Sequence, residues 1–294
     1  GLAIDKQALL QDVLQGEGAV INSPILEGLV GYDPAFHQNG VDRGRAEELL
    51  AKAGWNAITK EAYVERRTKI LREELEKAAH AESGTTTTTP EIAAAIQKQI
   101  DERLNGEIPP AQTTFRAKKD GALLQLTITT VSDPELAAVA ERVAVAWRDL
   151  GAQVTIRAVN PREVTTELLR PRTYDVLLYG EIVGADPDPF PFWHSSQVDY
   201  PGLNLANFIN RKADTLLEEA RVATDDKVRA EKYRAFQEIL RDEYPAVFLY
   251  APPYTYAVST DILGITTSRI LSPSDRLNDM EGRYIKTKRV WKSD

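Results

Sequence analysis

The densest concentration of groups able to do chemistry is GADPDPFPFW, residues 184–193. Asp186 and Asp188 supply anionic acceptors. Phe190, Phe192 and Trp193, with Tyr179 just upstream, supply flat apolar walls. Carboxylates beside aromatic rings are the mixture that lines small-molecule pockets. The stretch follows YDVLLYG (174–180), a short apolar run of the buried-strand kind, and open α/β sheets bind ligands beyond the carboxyl ends of their strands. Asp-Pro is also an ordinary turn dipeptide, so position and composition weigh binding and turn about evenly.

Other chemistries find less support. His37, His80 and His194 lie far apart with no HExxH-like spacing, and zinc needs several converging donors, so no metal site is expected. Neither GxGxxG nor GxxxxGK[ST] occurs, which removes the usual phosphate-cradling loops. His194, Ser195 and Asp199 are the residue types of a hydrolytic triad. However, Ser195 is not in a GxSxG elbow, and near neighbours in one Pro-rich loop rarely align as nucleophile and base. Asp186 and Asp188 are too close in sequence to flank a glycosidic bond. No catalytic residue and no cofactor is expected.

The 294 residues suit one large domain or two modest ones. A hydrophobic fraction of 43% and a charged fraction of 27% are ordinary for a globular protein. The net charge of −8 argues against nucleic acid as a partner, which calls for a basic excess. No apolar run approaches the ~20 residues that span a bilayer. The opening GLAIDKQALL has neither the cationic leader nor the apolar core of a signal peptide. With no cysteine, disulfides and thiol catalysis are excluded, while the compartment stays open.

The elements that must position these groups read as α/β. Asp5 and Asp42 cap two short helices, with Glu17–Asn39 expected as a wandering surface segment between them. Residues 57–120 carry two apolar stripes, Val64–Leu71–Leu75–Ala78 and Ile92–Ile96–Ile100–Leu104, around a threonine-rich break. The spacing predicts an inserted helical hairpin, protruding and largely independent of the core. Strands are expected at 122–131, 153–159 and 174–180, with helices at 134–150 and after the Asn160-Pro161-Arg162-Glu163 cap. That alternation implies parallel pairing. Helices at 212–222 and 226–243, strands at 246–250 and 254–259, and an irregular tail (261–294) complete the chain.

Several blocks resemble one family, the substrate-binding proteins of ABC importers of the oligopeptide/dipeptide/nickel type. They are AIDKQALLQDVLQGEG (3–18), VDRGRAEELLAKAGW (41–55), TYDVLLYG…DPDPFPFW, LNLANFINRKADTLLEEAR (203–221) and EKYRAFQEILRDEYPAVFLYAPPYTYAVS (231–259). The resemblance covers nearly the whole chain outside 57–120. It implies a lobe of the type II periplasmic-binding-protein fold, with a mixed, largely parallel sheet flanked by helices. Residues 1–294 would form the C-terminal lobe of a two-lobed, extracytoplasmic, membrane-anchored receptor. The missing N-terminal lobe and a membrane permease would be its partners, with a short peptide, or otherwise a sugar or metal complex, as ligand. A ligand-sensing domain of a regulator is the alternative. In peptide-binding members an aspartate just upstream of the DPDxF-like loop holds the ligand's amino group. Val183 occupies that place here, so Glu181 or Asp186 would have to take over. The ligand-binding set implied is Tyr179, Glu181, Val183, Asp186, Asp188, Phe190 and Trp193.

Overall fold

The computed structural model describes the chain except for residues 39, 85–86, 185–187, 268–269, 271–272 and 287–294. In chain order the first half forms α1 (Lys6–Leu14), β1 (Ala19–Val20), α2 (Arg43–Lys52), β2 (Asn56–Thr59), α3 (Lys60–Ser83), α4 (Pro90–Glu107), β3 (Thr114–Ala117) and β4 (Gln125–Val131). Then follow α5 (Pro134–Arg148), β5 (Gln153–Val159), β6 (Val176–Leu177), α6 (Phe190–Trp193), α7 (Arg211–Val222), α8 (Asp226–Glu243), β7 (Tyr250–Ala251), β8 (Ile262–Leu263) and β9 (Tyr284–Ile285). The chain divides into two compact units, Gly1–Leu9 with Asn39–Tyr179, and Leu10–Gln38 with Gly180–Asp294.

The first unit is built on a parallel sheet of order β5-β4-β6, with Gln125 opposite Gln153, Val131 opposite Val159 and Ile128 opposite Val176. Asp133 starts α5 by accepting from the N–H groups of Glu135 and Leu136, with Pro134 preset for the first turn. Val139, Ala140, Val143 and Ala144 then bury one face of that helix. The Asn160-Pro161 start makes a capped turn, with Asn160 Oδ1 accepting from Arg162 N at 3.0 Å. Only a five-residue π-helical turn, Thr165–Leu169, follows, because Pro171 comes too soon for a longer helix.

Between the antiparallel strands β2 and β3 stands the α3–α4 hairpin, with Leu71, Ile96 and Ile100 as its buried seam. Thr59 and Thr89 cap the two helices. The hairpin is rooted in the unit rather than independent of it. Tyr63 is fully buried, stacks on Phe115 at 4.2 Å between ring centroids, and accepts through its hydroxyl from Gln125 at 2.9 Å.

The second unit packs α7 against α8 around Ile25, Leu29, Trp193, Phe208, Leu217, Tyr233, Phe236 and Leu240. Asn210 caps α7, and Asp225 caps α8. Residues 17–38, expected on the surface, instead place Ile25 and Leu29 in this core. Gly31, at φ +86°, lets that segment run against Tyr233, where any Cβ would clash at 2.7 Å. The expected strand 246–250 shrinks to β7, paired with β1. Upstream of it, the Gln38 amide stands in for a partner strand, donating to Ala246 O (2.9 Å) and accepting from Phe248 N (3.0 Å). Residues 254–259, just past Pro252 and Pro253, form no strand. Within the tail, β8 and β9 pair antiparallel, and the Asp279 carboxylate gathers Thr266 N, Thr267 N and Arg283.

Candidate ligand-binding loop

Tyr179 lies in the first unit, exposed just past β6. The backbone leading to it is held on β4, with Leu178 N donating to Thr129 O at 2.9 Å and Thr130 Oγ1 donating to Leu178 O at 3.0 Å.

The remaining loop residues belong to the second unit. Glu181 is exposed and has no hydrogen bond or ion pair among the described residues. Desolvation by surrounding protein pushes its carboxyl up to about 7, although water at this open residue offsets part of that effect. Ile182 beside it is 75% exposed. Val183 is half-buried against the core cluster of the unit. Asp186 lies outside the described residues.

Asp188 is already engaged. Its Oδ1 accepts from Phe190 N at 3.2 Å, and Oδ2 accepts from Arg221 Nε at 3.0 Å and Nη2 at 2.8 Å. The same guanidinium lies 4.1 Å from the centre of the Phe190 ring, which stacks on His194 at 4.0 Å. Trp193 is 4% exposed, against Phe208, Phe236 and Phe248 at centroid distances of 6.3, 6.3 and 5.7 Å. It is a core residue of this unit rather than a pocket wall, and its Nε1 has no hydrogen-bond partner.

The triad-like residues do not assemble. His194 Nε2 faces Glu218 Oε1 at 3.3 Å, and Nδ1 meets Ser196 Oγ at 2.8 Å. Ser195 Oγ is buried without a hydrogen bond, so it has no base. Sequence reasoning missed Asp214, Glu218 and Arg221, which hold the loop from α7, and buried Asn204, whose amide donates to His194 O and Phe208 O. The available signal was the spacing of the three α7 residues, which puts them on one stripe of a helix.

Residues 1–105 match the family model described as bacterial extracellular solute-binding proteins, family 5 Middle. Through these residues the chain is similar to that family. Over 267 residues, 89% of the chain, it is 22% identical to the oligopeptide-binding protein AppA of Bacillus subtilis (strain 168). The chain spans about two fifths of that relative's length (39%). Its fold is that of several solved structures of binding proteins. One is AppA from Bacillus subtilis in complex with a nonapeptide, at TM-score 0.62 and 19% identity, covering 97% of this chain and 46% of that one. Another is NikZ from Campylobacter jejuni in complex with Ni(L-His), at TM-score 0.60 and 20% identity, covering 90% of this chain and 43% of that one. The relatives are thus named as binding proteins, and the family is an extracellular one. Among the described residues no helix is long and apolar enough to cross a membrane.

Proposed function

We propose that the chain is part of the substrate-binding component of an ABC importer, which captures a short peptide and hands it to a membrane permease. In this reading a further lobe of the same receptor completes the clamshell, outside the cytoplasm and anchored at the membrane, and no catalysis occurs. The peptide preference rests on likeness to receptors whose names state oligopeptide binding. The observation that carries the site is a difference between two carboxylates of one loop. Asp188 is neutralised by Arg221, whereas Glu181 has no partner among the described residues and is open to solvent. An unpaired, partly desolvated carboxylate favours a cationic partner. Glu181 therefore takes the ligand's α-amino group, in place of the family's aspartate at the position of Val183.

Calorimetry of the receptor with peptides bearing free or acetylated N-termini tests this. Removing one partner of a charge-assisted pair costs ~2–5 kcal/mol, so Glu181→Gln and N-acetylation should each weaken binding at least tenfold. Equal affinity for free and acetylated peptides, or indifference to Glu181→Gln, overturns the assignment.

A further inference from the structure

Asp214, Glu218 and Arg221 stand at i, i+4 and i+7 along α7, a spacing that lines them up on one face. Each meets a different point of the loop. Arg221 holds the Asp188 carboxylate and lies over Phe190. Glu218 faces His194 Nε2, and Asp214 Oδ1 accepts from Ser195 N at 2.9 Å. The loop thus runs antiparallel to the stripe, from Asp188 beside Arg221 to Ser195 beside Asp214.

We infer that Arg221 is a positioning residue, through which the charged stripe of α7 sets the conformation of residues 188–195, the downstream arm of the candidate ligand loop. The functional weight of that arm rests on the ligand reading above. Local turn chemistry bends the chain at Asp188-Pro189 but does not aim it. A single exposed ion pair would add little. This contact is more than one pair, because Nε and Nη2 converge on one oxygen while the same group covers an aromatic ring. A lysine keeps the charge of that arrangement but not its fork or its stacking. Neutralising Asp188 also removes a competitor to Glu181 for a ligand ammonium.

Hydrogen exchange of the full chain, read by mass spectrometry, tests the inference without any ligand. The reporting amides are those of Phe190 and residues 192–196, since Pro189 and Pro191 carry none. In Arg221→Gln these amides should exchange at least tenfold faster, while those of α8 stay as in the parent chain. Arg221→Lys should recover only part of the protection. The Arg221→Gln/Asp188→Asn double variant should be no faster than Arg221→Gln alone, because that substitution already removes the whole shared contact. Should Arg221→Gln fail to fold, Asp188→Asn breaks the same contact from the loop side and decides alone. Unchanged loop exchange in a folded variant, or acceleration spread evenly over the unit, overturns the inference. If the loop amides respond but Glu181→Gln leaves binding of free-amine trialanine unaltered, the positioning role stands and the ligand assignment falls.

Discussion

Arg67 grips Glu107 with both arms of its guanidinium, Nε to Oε2 at 2.9 Å and Nη2 to Oε1 at 2.6 Å, across the base of the α3–α4 hairpin. The two side chains are 13% and 21% exposed, and the pairing raises the affinity of Arg67 for its proton. One turn earlier Tyr63 enters the core beside Phe115. The hairpin therefore has a structural root and a dispensable outer part. Replacing residues 60–107 by a Gly/Ser linker should abolish cooperative melting of the first unit, and Tyr63→Ala alone should cost roughly 3–5 kcal/mol. Replacing only residues 78–90 should cost about 1 kcal/mol, the worth of the lost Thr89 cap. Calorimetric melting of the three variants checks this, and equal melting of the long deletion and the parent chain would contradict it.

A second anchor lies at Arg116, which is buried without a carboxylate partner among the described residues. Its Nε donates to Leu150 O at 2.5 Å and its Nη1 to Trp55 O at 3.0 Å. These carbonyls follow the C-terminal ends of α5 and α2, where helix dipoles favour a cation. Arg116→Met should therefore destabilise by about 1–3 kcal/mol through unsatisfied carbonyls. Arg116→Lys should recover less than half, since one ammonium cannot span both acceptors. Urea midpoints measure both, and a neutral Arg116→Met would show that water replaces the guanidinium.

Trp193 gives a prediction opposite to that of a pocket wall. Its ring fills the core of the second unit, so Trp193→Ala should cost roughly 3–5 kcal/mol. Trp193→Phe should cost less than half of that, because Nε1 has no hydrogen bond to lose. Val183→Asp places a charge against the same core and should destabilise as well. Denaturant unfolding of the three variants is the measurement. Parent-like stability of Trp193→Ala would return this ring to the surface.

Local signals made much of the fold legible. Strand β5 and helix α8 occupy the spans their periodicity marks, and Asp42 caps α2 because capping is decided within four residues. What escaped depends on distant partners. Nothing near Gln38 reveals that its amide will complete the backbone of Ala246 and Phe248, more than two hundred residues on. Ile25 and Leu29 sit among prolines and glycines without a period, yet are buried. At the site, the loop was recognisable from its composition. The engagement of Asp188 was not, because it depends on Arg221, 33 residues further on.

Glu181 yields a prediction in pH. Desolvation pushes its carboxyl up from an ordinary 4.5 toward about 7 in the folded chain, an upper bound for a residue open to water. Between those values the folded chain retains a proton that the unfolded chain has released. This contribution to stability is therefore fully present below about pH 4.5, and is lost as pH rises through 7. Glu181→Gln should accordingly be the more stable form at pH 8 and match the parent chain at pH 4. For the ligand the sign is reversed, because an α-ammonium pairs only with the ionised carboxylate. Affinity for a free-amine peptide should climb from pH 6 to about 7.5 and then fall as the α-ammonium, whose pKa is ordinarily ~8, deprotonates. Binding near pH 7 should release a proton, visible as a dependence of the calorimetric heat on the buffer's ionisation enthalpy. Both effects should vanish in Glu181→Gln. A carboxyl resonance of Glu181 that titrates near 4.5 by NMR would remove the basis for the pH dependence, and a proton release that persists in Glu181→Gln would assign it to another group.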